Sequence, residues 1–408
     1  MSERLKKFLL ISVFILVVAG IGYFLYRLFF KPAAPTLAPS VSPQATGVLP
    51  SAGNATSAQT VAPLGQPGLP TAQQVAPLTL PPPPTPPSRT EVLSDQVLNS
   101  ITVSPSGGLR GYNPVDGKFY HVTSDGKSTA LSDQTFYNVQ SVDWANKTDK
   151  AILSYPDGSK TLYDFSSQKQ VTLPAYWENF SFSPQDSQIA AKSVGNNETN
   201  RFLVVANPDG SSAKAVEDLG QNQDKVHVDW APNNQTIAYA FTGEAEGLDR
   251  QSVILVGQNH ENFKSLEVEG RGFVPNWSPS GNNVLYSVYS TESGFRPELW
   301  ISGAVGDSIN ANRRDLAIQT WADKCAWQNE TTLYCAVPTS LDEGAGLQPD
   351  IAASTPDAIY KIDLKNGTKT NLGSPDGNPT IDKFVISPDG KSAYYTDFTT
   401  GKVMRFAL

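Results

Sequence analysis

Trp277-Ser278-Pro279-Ser280-Gly281-Asn282-Asn283-Val284-Leu285-Tyr286 holds an aromatic anchor, a tight turn and a new apolar strand in one stretch. The Ser-Pro-Ser-Gly segment breaks the strand before it: proline lacks a ladder N–H, and glycine supplies the backbone freedom of a turn. The same phrase of anchor, small residue and turn recurs along the chain. It reads Val103-Ser104-Pro105, Trp144-Ala145-Asn146, Phe182-Ser183-Pro184, Trp230-Ala231-Pro232, Trp327-Gln328-Asn329 and Ile386-Ser387-Pro388. Successive anchors lie 41, 38, 48, 47, 50 and 59 residues apart. A repeat of about 40–50 residues built only of short strands marks a β-propeller blade. Seven anchors predict an all-β, seven-bladed propeller rather than one of six or eight blades.

Each repeat divides into four strands, A to D. In blade 3 the spacing predicts A at Glu178–Ser183, B at Gln188–Ser193, C at Phe202–Ala206 and D at Ala213–Val216, with Asn207-Pro208-Asp209-Gly210 turning C into D. Blade 7 supplies only Asp382–Ser387, Ser392–Asp397 and Lys402–Ala407 before the chain ends at Leu408. Its outer strand is expected from about Arg89–Ser94, ahead of the first strand A at Val97–Val103. That pairing would join both ends of the domain and leave no open sheet edge.

The phrases Trp277-Ser278-Pro279-Ser280-Gly281, Ile386-Ser387-Pro388-Asp389-Gly390-Lys391 and Phe202-Leu203-Val204-Val205 followed by Asn207-Pro208-Asp209-Gly210-Ser211 resemble the TolB-like propeller repeats of bacterial extracytoplasmic proteins. The resemblance spans roughly residues 95–408. It implies a binding scaffold more than an enzyme, since family members mostly bind and some are the propeller halves of peptidases. An N-terminal anchor, a proline stalk and a seventh blade depart from TolB itself, so its partners are not carried over.

Outside the repeats the composition changes twice. Residues 1–31 carry five basic side chains and one acidic; Phe8–Phe30 is apolar but for Ser12, the tyrosines and Arg27. A helix of that length reaches roughly 34 Å, enough to cross a bilayer core. Residues 32–88 hold no charge and are rich in Pro, Ala, Thr, Ser, Gln and Gly, a composition that cannot bury a core and favours extended chain. Fully extended it would reach roughly 180 Å. The expected organisation is a cytoplasmic tip and transmembrane helix (1–31), a disordered stalk (32–88) and an extracytoplasmic propeller (89–408). The positive-inside rule and the stalk place the propeller outside. Without residues 1–31 the chain has 26 basic against 38 acidic residues. Such an acidic body disfavours nucleic acid.

Catalytic signatures are missing. His121, His227 and His260 have no metal-ligand spacing, and no nucleophile elbow or phosphate loop occurs. No cofactor is expected. Cys325 and Cys335, the only cysteines, sit at hairpin spacing in strands A and B of blade 6. In an exported chain this suggests a disulfide, with a reduced buried pair as the alternative. The residues before the anchors include Thr102, Asp143, Ser181, Asp229 and Asn276, a polar ring near the propeller axis. Such a ring can line a ligand or cation site. The expected role is structural, with Asp143 and Asp229 bonded to backbone of the adjacent blade.

Four insertions, Gly195–Arg201, Thr242–Gln251, Ser290–Arg296 and Pro338–Asp357, all fall between strands B and C. Insertions gathered on one face of a repeat protein often form its binding face; neutral loop drift is the alternative. They carry Glu198, Arg201, Glu244, Glu246, Asp249, Arg250, Glu292, Arg296, Asp342, Glu343, Asp350 and Asp357. The sequence therefore points to non-catalytic protein or peptide binding at the cell envelope. The second expectation is a carbohydrate- or cell-wall-directed propeller using the acidic loops.

Overall fold

Every second residue of a blade's central strands meets a different neighbour, and this alternation organises the molecule. A computed structural model describes residues 88–408 except 245 and 262, with four isolated helical positions upstream, Leu16, Val18, Gly20 and Tyr23. The expected membrane span and stalk otherwise lie outside the described residues. No helix among the described residues is long and apolar enough to cross a membrane.

The strands form seven four-stranded antiparallel sheets. Blades 1 to 6 occupy 99–130, 141–173, 177–218, 226–268, 271–315 and 325–373. Blade 3 shows strands Trp177–Phe182, Ile189–Val194, Arg201–Ala206 and Lys214–Asp218, each within two residues of its expected start and end. Blade 7 orders Thr90–Val97, Lys402–Ala407, Ser392–Asp397 and Ile381–Ile386, so the N-terminal strand closes the last sheet. Its register runs from Thr90↔Phe406 to Val97↔Lys402. This strand is longer than expected. Irregularities after Val92 and Ser94 keep it on the twisted edge as far as Val97, and only Leu98 separates it from strand A of blade 1 (Asn99–Val103).

Central strands are buried on both faces, so they read as continuous apolar runs. Ala191 of blade 3 joins the core shared with blade 2, and its neighbour Ala190 joins the core shared with blade 4. Seven such cores lie between successive blades. The closing one sets Leu98, Ile101, Leu109 and Val122 against Leu93, Tyr394 and Val403 of blade 7.

The antiparallel order sorts the connections. A–B and C–D turns lie at one end of the propeller, here the turn end. B–C and D–A segments lie at the other, the loop end. Adjacent A–B turns are stitched together. The Asp186 carboxylate accepts from the N–H groups of Asn146 and Lys147 at 2.7 and 2.8 Å, and Asn233 Nδ2 donates to Gly281 O at 2.7 Å. Gln328 Nε2 donates to Gly390 O at 3.0 Å. Arg110, 1% exposed, stacks 4.5 Å over Trp144 and donates to Thr148 O at 2.7 Å and Asp149 at 3.0 Å.

Candidate binding face

All four insertions connect strand B to strand C, so they share the loop end. They are short of regular structure, and those of blades 4, 5 and 6 are held by one another. In blade 4, Asp249 accepts from the Thr291 N–H of blade 5 at 3.2 Å, and the Thr291 hydroxyl also donates to it. Arg271 Nε donates to Leu248 O at 2.8 Å. Between blades 5 and 6, Gly344 N and Gly346 N donate to Gly294 O and Phe295 O at 3.0 and 2.7 Å. Gly294 and Gly344 both take positive φ, +61° and +87°, which glycine adopts without steric cost. The loops of blades 4, 5 and 6 thus make one continuous hydrogen-bonded surface.

The sequence-predicted residues divide by what they touch. Glu244, Glu246, Glu292, Asp342, Glu343 and Asp350 are exposed and form no ion pair among the described residues. Exposed Glu198 accepts from Gln221 Nε2 at 3.1 Å. The arginines brace the loops. Arg201 Nε reaches Gly195 O at 3.1 Å, Arg296 Nε reaches Leu341 O at 2.8 Å, and Arg250 pairs with Glu269 at 2.9 Å. Asp357 does not belong with them. It is 0% exposed at the start of strand C, pairs with Lys324 at 2.7 Å and accepts from Ile381 N at 2.7 Å. Position at a loop boundary suggested a surface carboxylate; the half-buried lysine beside it makes Asp357 part of the framework joining blades 6 and 7.

Two concavities flank the blade 5 loop. On its blade 4 side a cleft of about 480 Å³ is lined by Glu246, Leu248, Asp249, Glu269, Glu292, Glu298 and Trp300, with Arg250 and Ser290. Burial, then the charges of Asp315 and Glu292, push the Glu298 carboxyl above its ordinary value. The Trp300 indole N–H is buried there with no acceptor among the described residues. On the blade 6 side a slot of about 410 Å³ is lined by Phe273, Val288, Tyr289, Trp321, Leu347 and Pro349, among others. The sequence reading missed Glu298, Trp300 and Trp321. For the first two the available signal was period two, since Glu298 and Trp300 alternate with buried Pro297, Leu299 and Ile301.

Apolar exposure is also one-sided. Nine large apolar side chains of residues 88–408 stand out as exposed: Val92, Val115, Tyr137, Val171, Tyr176, Leu248, Leu347, Ile351 and Phe398. Seven of them lie on B–C or D–A segments, and the other two, Val92 and Val171, on outer strands.

The polar ring behaves unevenly. Ser181 Oγ accepts from Trp230 N at 2.9 Å, and Asn276 Nδ2 donates to Ala322 O and Cys325 O at 2.9 Å while its Oδ1 accepts from Trp327 Nε1 at 3.1 Å. Thr102 lines a cleft with Ser100, Trp144 and Asp382. The expected backbone bonds to Asp143 and Asp229 do not form. Val142 and Trp144 pack toward blade 1, so Asp143 faces blade 3, whose anchor Phe182 has no indole N–H to offer. Asp229 has the Trp277 indole nearby, short of hydrogen-bond geometry. Burial pushes both carboxyls up to about 7.

Cys325 and Cys335 are directly opposed in the register, 4.0 Å apart at Cα, and disulfide-bonded within the blade 5–6 core. His121 donates from Nε2 to Gly107 O at 2.6 Å, and His260 meets Glu217 at 3.1 Å. No group of three His, Cys, Asp or Glu side chains among the described residues is arranged to hold a metal ion.

No protein-family model and no curated protein matches the chain. Solved structures do. An oligogalacturonate lyase in complex with manganese is 12% identical with a TM-score of 0.52, over 77% of this chain and 89% of that one. The β-propeller domain of Myceliophteria thermophila Cps50 (Swd1) is 12% identical with a TM-score of 0.52, over 78% and 99%. A chain of the mitotic checkpoint complex is 13% identical with a TM-score of 0.51, over 85% and 99%. The match to tricorn protease has a TM-score of 0.48 and spans 34% of that chain, about a third of its length. At these identities the likeness is one of fold: the chain is a β-propeller of seven blades.

Proposed function

We propose that the protein is a single-pass, membrane-anchored propeller of TolB-like type, held outside a bacterial cell membrane on a proline-rich stalk. It works as a non-catalytic scaffold that binds a protein or peptide at the cell envelope through its loop end. One observation carries this reading: within residues 88–408 the exposed large apolar side chains outside the outer strands all lie at the end that also bears the insertions. Water-exposed apolar groups gathered on one face favour association.

Shortening Leu341–Ser354 tests the reading. The variant is expected to fold, as checked by its unfolding midpoint, and to lose partners recovered by crosslinking on intact cells. Unchanged recovery would remove the loop end from the function. Turnover of a glycan by the intact chain, lost on Glu298→Gln, would instead favour the carbohydrate-directed alternative.

A further inference from the structure

The loop end and the turn end differ sharply in charge. Among the described residues, B–C and D–A segments hold fifteen carboxylates against four basic side chains; A–B and C–D segments hold nine against six. The acidic excess of the propeller is therefore concentrated where its apolar side chains are exposed. Opposite charge is what a complementary partner must bring to such a face.

The two concavities say how charge and apolar contact would combine. They share the Ser290–Arg296 loop: Ser290 and Glu292 border the acidic cleft, while the preceding Tyr289 and the following Pro297 border the apolar slot. Glu246 and Glu292 on the cleft are exposed and form no ion pair among the described residues, so their charge is not already compensated. The slot's wall is carried by Leu347, 53% exposed, with Trp321 and Phe273 behind it. A segment lying across this loop would meet carboxylates on one side and an aromatic-lined slot on the other.

Resting on the binding-face reading above, we infer that the partner is a cationic peptide segment, with a lysine or arginine seated in the Glu246–Glu292 cleft and a neighbouring aromatic or aliphatic side chain in the Tyr289–Trp321–Leu347 slot. An anionic surface or polymer would be repelled by the same face.

The test is selection of a phage-displayed library of random twelve-residue peptides on the full chain in neutral detergent, followed by affinity measurement of the winners. Enriched peptides are expected to pair Lys or Arg with a nearby Phe, Trp, Leu or Ile. Binding should weaken with salt and fall roughly tenfold on E246K/E292K. Leu347→Ser should weaken it too, while the unfolding midpoint stays put because all three side chains are exposed. Selection repeated on E246K/E292K should shift the winners toward Asp and Glu. Winners no richer in basic residues than the library, no enrichment at all, or winners indifferent to the charge reversal would overturn the inference. If those winners still require Leu341–Ser354, the binding face survives and only the partner's chemistry is wrong. If they do not, both readings fall.

Discussion

The two ends of the propeller are made by the same repeat and have been treated differently. At the turn end, A–B connections are stitched to a neighbouring blade: Asp186 caps the blade 2 turn, Asn233 reaches the blade 5 turn and Gln328 the blade 7 turn. At the loop end the connections of blades 4 to 6 are long and hold one another, and they leave carboxylates and apolar side chains facing water. A radial fold permits this because each core lies between blades, not behind the connections. The lesson is that stability and recognition can be assigned to opposite ends of one ring with little conflict.

Asp357 tests how clean that division is, because it is a loop-end residue with a framework contact. Asp357→Ala strands Lys324 in a site 12% exposed and should cost about 3–5 kcal/mol. A denaturant titration showing less than about 1 kcal/mol would mean the pair is dispensable and the loop end is freer than described. The blade 6 disulfide comes next. It closes a loop with a sequence separation of 10, so reduction should lower stability by about 2–3 kcal/mol at most. Denaturation with and without reductant reads this; identical curves would show that strand pairing alone holds the hairpin.

The smallest expected effect concerns Asp143. Its carboxyl is pushed up to about 7, well above the value of an unfolded aspartate. The native state therefore holds more protons than the unfolded one between about pH 4 and 7, and stability falls as pH rises through that range. Asp143→Asn removes the penalty. It should stabilise the protein by about 1–2 kcal/mol at pH 8, after allowing for solvent near the axis, and by almost nothing near pH 4. An equal gain at both pH values would mean that ionisation is not the cause.

Much of the fold was legible because a propeller repeats its cues. The seven anchors from Val103 to Ile386, each ahead of a turn, gave blade number and strand order, and the missing strand in blade 7 pointed back to about Arg89–Ser94. The limits were local. Val97 looked like the start of strand A because it is apolar, but two register irregularities carry the outer strand through it. The site was less legible. Sequence showed where insertions fall, but not that Asp357 would be buried against Lys324, since pairing across a D–A linker leaves no pattern in either segment. Nor could it show that Tyr137, Tyr176 and Phe398 stand exposed, because an aromatic residue in a connection packs inward about as readily.

Ring closure has a mechanical side. Where the chain enters the propeller, Ser88 Oγ donates to the Asp376 carboxylate, Asp376 N donates to Thr90 Oγ1 at 3.0 Å, and Arg89 Nη1 donates to Leu372 O at 3.0 Å. A tension arriving from upstream would meet this three-point clamp on the outer strand of blade 6 and the linker after it before it reached the Thr90–Phe406 pair. If the proposed stalk transmits a pull, it loads these contacts before the latch strand, and the ring resists peeling from its own entry point.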